Sequence, residues 1–153
     1  MRLLWFAVHV AEGGSLGRLS PVKRHRMGDE NVMPDATTNV AVLRELVRRF
    51  GDERAWQPFH TPKNLAMGMA IETAELMEHF LWVDGPRSRE LGFDPERREA
   101  IADEVADVFC YVLNLCNVLE LDLSTELERK LKKNALKYPV EKFRGRFEAA
   151  DET

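Results

Sequence analysis

The sequence predicts an all-α protein built as an antiparallel four-helix bundle. Three observations point there. Apolar residues recur at three- and four-residue steps in four separate segments. Each segment starts at a capping residue or a proline and stops at Gly, Pro or a polar turn. No stretch of useful length alternates apolar and polar residues, so no sheet is expected. Short connections between such helices favour antiparallel neighbours.

Taken in order, residues 1–36 fit no periodic template. They hold Gly13, Gly14, Gly17, Gly28 and the basic run KRHR at 23–26, and read as a flexible N-terminal extension. The opening MRLLWFAVHVAEGG imitates a short signal peptide, but it has one positive charge and no clear small-residue cleavage site. A translated extension ahead of a start at Met27 or Met33 is an equal reading. The domain is expected over 37–143. Thr37 or Thr38 can cap a first helix that runs through Phe50 and ends at Gly51. Its apolar stripe is Val42, Leu43, Leu46, Val47 and Phe50. WQPFHTPKN (56–64) is a proline-bounded loop. Thr61 caps a second helix with Pro62 at its first position, running to Leu81 or Trp82. Residues 83–94 read as a polar connection. Asp94-Pro95 opens a long third helix to about Glu120. Asp122 or Ser124 caps a fourth, stopped by Tyr138-Pro139, and 144–153 form a C-terminal tail.

Composition narrows the function. The 153 residues are enough for one domain with a core. A net charge of −4 leaves no global basic footprint, so nucleic acid is not expected as a partner. No apolar run reaches the roughly 18 residues of a membrane span, so no membrane is expected either. Cys110 and Cys116 lie on one helix, separated by about 9 Å of rise, too far for a bridge between them. They read as buried thiols of a reducing, cytoplasmic setting.

The chemistry lies in acids on two helices. Glu72 and Glu75 are three apart on the second helix, and Glu104 and Asp107 are three apart on the third. Residues at that spacing share a helix face. Glu104, Asp107 and Tyr111 form one stripe beside the apolar residues Val105, Val108, Phe109 and Val112. Two antiparallel helices can therefore bring four carboxylates together. These repel unless protonated or neutralised, and a hard divalent cation with oxygen ligands is the better answer. The absence of Cys and His from the two pairs argues against zinc, and the absence of Glu-x-x-His argues against a di-iron bundle. Mg²⁺ is the expected cofactor. Glu78 extends the run by one more step and reads as a rim group, and His79 as a structural flank.

Glu72-x-x-Glu75, a gap of 28 residues, then Glu104-x-x-Asp107 resembles the signature of the MazG-like, all-α nucleotide pyrophosphohydrolases. Flanking segments extend the likeness to the short dCTP pyrophosphatase branch: FGDERAWQPFHTPKNL (50–65), ETAELMEHFLW (72–82), EVADVFCYV (104–112) and KLKKNALKYP (130–139). The resemblance covers about residues 39–143. It implies hydrolysis of a nucleoside triphosphate between the α and β phosphates. It also implies Mg²⁺ held by Glu72, Glu75, Glu104 and Asp107, with Glu72 or Glu75 available to take the proton of the attacking water. The segment containing Trp56, Gln57, Phe59 and His60, together with Trp82 and Tyr111, matches the base pocket. Lys130 and Asn134 match positions near the phosphates. A homodimer or homotetramer with a partly shared site is implied as well. The chain departs from the pattern at Val47, where relatives can place a His near the base, and at Val118, where a basic residue is expected.

The expected function is Mg²⁺-dependent hydrolysis of dCTP or a modified pyrimidine triphosphate to monophosphate and pyrophosphate. The same site acting on dUTP, a purine triphosphate or phosphoribosyl-ATP is the neighbouring alternative. A non-enzymatic helical interaction module, with the acids on a solvated face, is the distant one.

Overall fold

A computed structural model describes residues 33–146. Most of the expected N-terminal extension and most of the C-terminal tail lie outside the described residues. The chain divides into two units, Met1–Asn39 and Val40–Thr153. In the first unit, the described residues form a turn in which Thr37 N–H and Thr38 N–H donate to Pro34 O, both at 3.0 Å. The Thr37 hydroxyl donates to the same oxygen. Thr37 is thus committed to a local turn rather than to a helix cap, and the helix starts later than expected.

The regular elements of the second unit's described residues are all helices: α1 (Val40–Asp52), α2 (Pro62–Glu78), α3 (Gly85–Leu91), α4 (Pro95–Val118), α5 (Leu123–Lys137) and α6 (Val140–Phe143). No strand occurs among the described residues. The expected starts of α2, α4 and α5 hold at the level of single side chains. Thr61 accepts from Asn64 N–H, Asp94 from Glu96 N–H and Asp122 from Thr125 N–H. Two short helices correct the sequence reading. The supposed polar connection folds as α3, because Asp84 caps it through Arg87 N–H and Pro86 sits in its first turn. Residues 140–143 form the single turn α6 before the tail.

Gly51 does not stop α1. The helix continues to Asp52 and closes one turn later, with Trp56 N–H donating to Gly51 O and Ala55 N–H to Asp52 O, both at 3.0 Å. That is the paired hydrogen-bond pattern of a left-handed C-terminal cap. Ala55 takes the left-handed position, with φ 52°. Glu120 does the same after α4, also with φ 52°, and Leu121 N–H donates to Cys116 O.

The packed pairs are α2 against α4 and α1 against α4, so α4 is the central helix. Its apolar contacts centre on Leu113 and Cys116, with Leu65 of α2 and Leu91 of α3 also buried. Arg44 of α1 ties the end of α4 down. Its guanidinium donates to Asn117 Oδ1, Cys116 O and Leu121 O, and Asn117 Nδ2 donates back to Arg44 O. Helix α5 has no buried residue. One chain therefore shows two helices, α1 and α2, packed on α4, and a further long helix, α5, whose apolar side chains Leu127, Leu131 and Leu136 are exposed. Of the two thiols, Cys116 is buried and Cys110 only partly so; both are free.

Candidate metal and nucleotide site

Helices α2 and α4 meet face to face and run antiparallel. Asp107 and Glu72 lie together at one level, and one turn along, Tyr111 lies on Gly68. The ring contact is close. A Cβ added at Gly68 would fall 2.3 Å from Tyr111 Cε1, so glycine is what allows the ring to lie against α2.

At the acid level, carboxylate oxygens of Glu72, Glu104 and Asp107 all lie within 4.8 Å of one another. Glu75 stands beside this trio, and its charge acts on each of the three. The electrostatics follow from burial and from repulsion. Burial is the first cause raising Glu72, with Asp107, Glu75 and Glu104 adding to it, and together they push it up to about 7. Burial, then Glu75 and Asp107, raise Glu104, while His79 nearby pulls it down. Burial, Asp103 and Glu75 raise Asp107. Tyr111 is raised by burial and by Glu72 and Asp107.

Glu104 Oε2 is buried without a hydrogen-bond partner. An unpaired buried carboxylate oxygen is costly. An oxygen-only donor set with one orphaned oxygen fits a hard divalent cation and offers nothing that would favour a soft one. Three of the four expected acids thus converge, and the fourth adjoins them. Glu78 is exposed at the end of α2.

A cavity of about 250 Å³ lies further along α4. It is lined by Arg48, Gly51, Asp52, Gln57, His60, Asn114, Asn117 and Val118. His60 packs over Gly51, where a Cβ would meet its Cε1 at 3.1 Å. Burial lowers the His60 pKa, so the ring is neutral near pH 7. Gln57 Nε2 donates to Asp52 Oδ1 at 2.5 Å.

The aromatic residues divide. Trp56 is edge-on to Phe50 and to His60, with centroids 5.8 and 6.2 Å away, and supports the loop from behind. Phe59 is exposed and Trp82 is 90% exposed, and neither lines the cavity. Lys130 is exposed and Asn134 half-buried on α5. The charges acting on the three acids come from carboxylates and His79, not from Lys130. Within one chain, then, Trp82, Phe59, Lys130 and Asn134 do not line the cavity. Sequence reading misses Arg48, Asp52, Asn114 and Asn117 as cavity residues. For Asn114 a signal existed, since 104, 107, 111 and 114 continue a single helical stripe.

Comparison with known proteins extends this geometry. Residues 68–152 match the MazG-like family. Over 103 residues the chain is 33% identical to dCTP pyrophosphatase 1 of Rattus norvegicus, covering 67% of this chain and 61% of that protein. Over 98 residues it is 33% identical to dCTP pyrophosphatase 1 of Homo sapiens, covering 64% and 58%. The chain spans about three fifths of the length of these curated relatives. A crystal structure of a pyrophosphatase from Archaeoglobus fulgidus superposes with a TM-score of 0.60 at 41% identity, covering 63% of this chain and 89% of that one.

Proposed function

The chain belongs to the MazG-like family, and we propose that it is a nucleoside triphosphate pyrophosphohydrolase acting on dCTP or a modified pyrimidine deoxynucleotide. The observation that carries this reading is the convergence of Glu72, Glu104 and Asp107, with Glu104 Oε2 buried and unpartnered. Glu72, Glu104 and Asp107 would hold Mg²⁺, with Glu75 beside them. Bound there, the cation supplies the positive charge that lets a triphosphate approach an acidic site and offsets charge building on the phosphate oxygens.

The protein's own groups do the rest. Water attacks the α-phosphorus, the bond from that phosphorus to the bridging oxygen breaks, and pyrophosphate leaves. Glu75, beside the trio, is the carboxylate left to take the water's proton. Tyr111, held on Gly68 one turn from the acids, positions the sugar end of the nucleotide.

The active form is a homodimer or homotetramer. The exposed leucines of α5 and the exposed Met77, Leu81 and Trp82 near the end of α2 are the surface such an assembly would cover. In it, Lys130, Asn134 and Trp82 join a site shared between copies. The free thiols suit a reducing cytoplasm, and no helix among the described residues is long and apolar enough to cross a membrane.

Pyrophosphate release from canonical and modified nucleoside triphosphates, with Mg²⁺ and with chelator, tests the proposal. Mg²⁺-dependent release that Glu104→Gln abolishes supports it. Absence of release from every triphosphate by folded protein rejects it.

A further inference from the structure

The acids account for the phosphates of a nucleotide but not for the cavity two turns away, whose lining is largely apolar with a few polar groups. We propose that this cavity receives the uncharged, hydrogen-bonding edge of the nucleobase and that Asn114 is the residue that reads that edge, an inference that rests on the nucleotide reading above.

Asn114 is the one buried polar residue among those described, 5% exposed beside Leu113 and Cys116. It lines the cavity, and none of the hydrogen bonds found for the described residues engages its side chain. Among the described residues Glu104 Oε2 is the one enclosed side-chain oxygen or nitrogen without a partner, so the Asn114 carboxamide is not sealed off: it opens to the cavity, where a ligand can pair with it. A carboxamide presents one donor and one acceptor side by side. It can therefore pair in two contacts with a base edge that offers the complementary pair, such as the exocyclic amine and ring nitrogen of cytosine.

Position and charge agree. Asn114 lies seven residues beyond Asp107 on the same α4 stripe, about 10 Å of rise, with Tyr111 between them. That spacing sets one end of a ligand at the acids and the other at the cavity. The charged groups at the cavity are already matched: Arg48 pairs with Glu45 and Asp52, and Asp52 also accepts from Gln57. No lysine lines it. Such a cavity suits a neutral polar ring better than a phosphate. His60, neutral and seated over Gly51, lines the same cavity. A volume of about 250 Å³ is below that of pockets for whole drug-sized ligands and suits one ring moiety.

The test uses the full chain with Mg²⁺ and a panel of dCTP, dUTP, dTTP, dATP and dGTP. It compares wild type with Asn114→Leu and with the isosteric Asn114→Asp. For Asn114→Leu, KM for the preferred base should rise at least about tenfold, kcat should change little, and the preference over the next base should fall by a similar factor. Its melting temperature should stay level, because no hydrogen bond within the chain is lost. Asn114→Asp, which only accepts, should shift preference toward bases bearing an exocyclic amine. A purely structural Asn114 would instead lower kcat for every base alike, or lower the melting temperature, with the preference ratios unmoved in both variants. That outcome overturns the inference and leaves the nucleotide reading intact. A wild-type protein inactive on every triphosphate overturns both.

Discussion

Glu104 is the residue on which the site's electrostatics turn. Its Oε2 is buried without a partner, and burial and neighbouring acids raise its pKa. Glu104→Gln should cut pyrophosphate release by about a hundredfold or more. It should also raise the melting temperature of metal-free protein, because one repelling charge is gone. The pH dependence has a definite sign. Glu72 binds its proton more tightly folded, at about 7, than its ordinary value of 4.5. The folded state therefore gains from that proton below 4.5 and loses the gain as pH rises through 7. Metal-free protein should lose stability across this window, and Glu72→Gln should flatten the curve; denaturant melts at several pH values read both. Gly68→Ala sets two effects against each other. Helix propensity would favour alanine by up to about 1 kcal/mol. The clash with Tyr111 costs about 1–3 kcal/mol, so a net loss of roughly 1–2 kcal/mol is expected in chemical denaturation.

At the scale of elements, the helix ends carry a reserve of stability. Ala55 and Glu120 occupy left-handed positions that glycine takes without strain. Ala55→Gly and Glu120→Gly should each stabilise by about 1 kcal/mol in denaturant unfolding. The same ends explain what the sequence could and could not reveal. Thr61, Asp94 and Asp122 are legible because a cap side chain needs only a local partner. Gly51 is misleading, since glycine serves close approach as well as termination. Here it makes room for the His60 ring, while alanine closes the helix. The carboxylates are legible because three-residue spacing places them on one face before any tertiary contact is known. Asn114 is legible only in part: the stripe of Glu104, Asp107 and Tyr111 reaches it, but tertiary packing decides that His60 and Gly51 line the same cavity. Trp82 and Phe59 read as pocket walls from their places at a helix end and in a loop, yet exposure in one chain depends on neighbours that no local pattern encodes.

At the scale of the molecule, the buried apolar set among the described residues is small: Leu65, Leu91, Leu113 and Cys116. Against it stand many exposed large apolar side chains, with Leu136 at 86%. Contiguous apolar surface of this kind marks association. The chain should elute and scatter light as a dimer or larger, above its 17.6 kDa. Leu127→Glu with Leu131→Glu should shift that mass toward the monomer and reduce activity together with it. A monodisperse wild-type monomer with full activity would refute the shared site. Such an assembly would also bring Lys130 and Asn134, distant from the acids' field in one chain, to the phosphates of a neighbour's site.

The most direct test is a calorimetric titration of Mg²⁺ into metal-free protein near pH 7, run in two buffers of different ionisation heat, beside Glu104→Gln. The three converging acids predict saturable binding with protons released on loading, since Glu72 titrates at about 7, and weak or no binding by the variant. Binding without proton release, or equal binding by Glu104→Gln, would mean that the acids of α2 and α4 do not form the metal site.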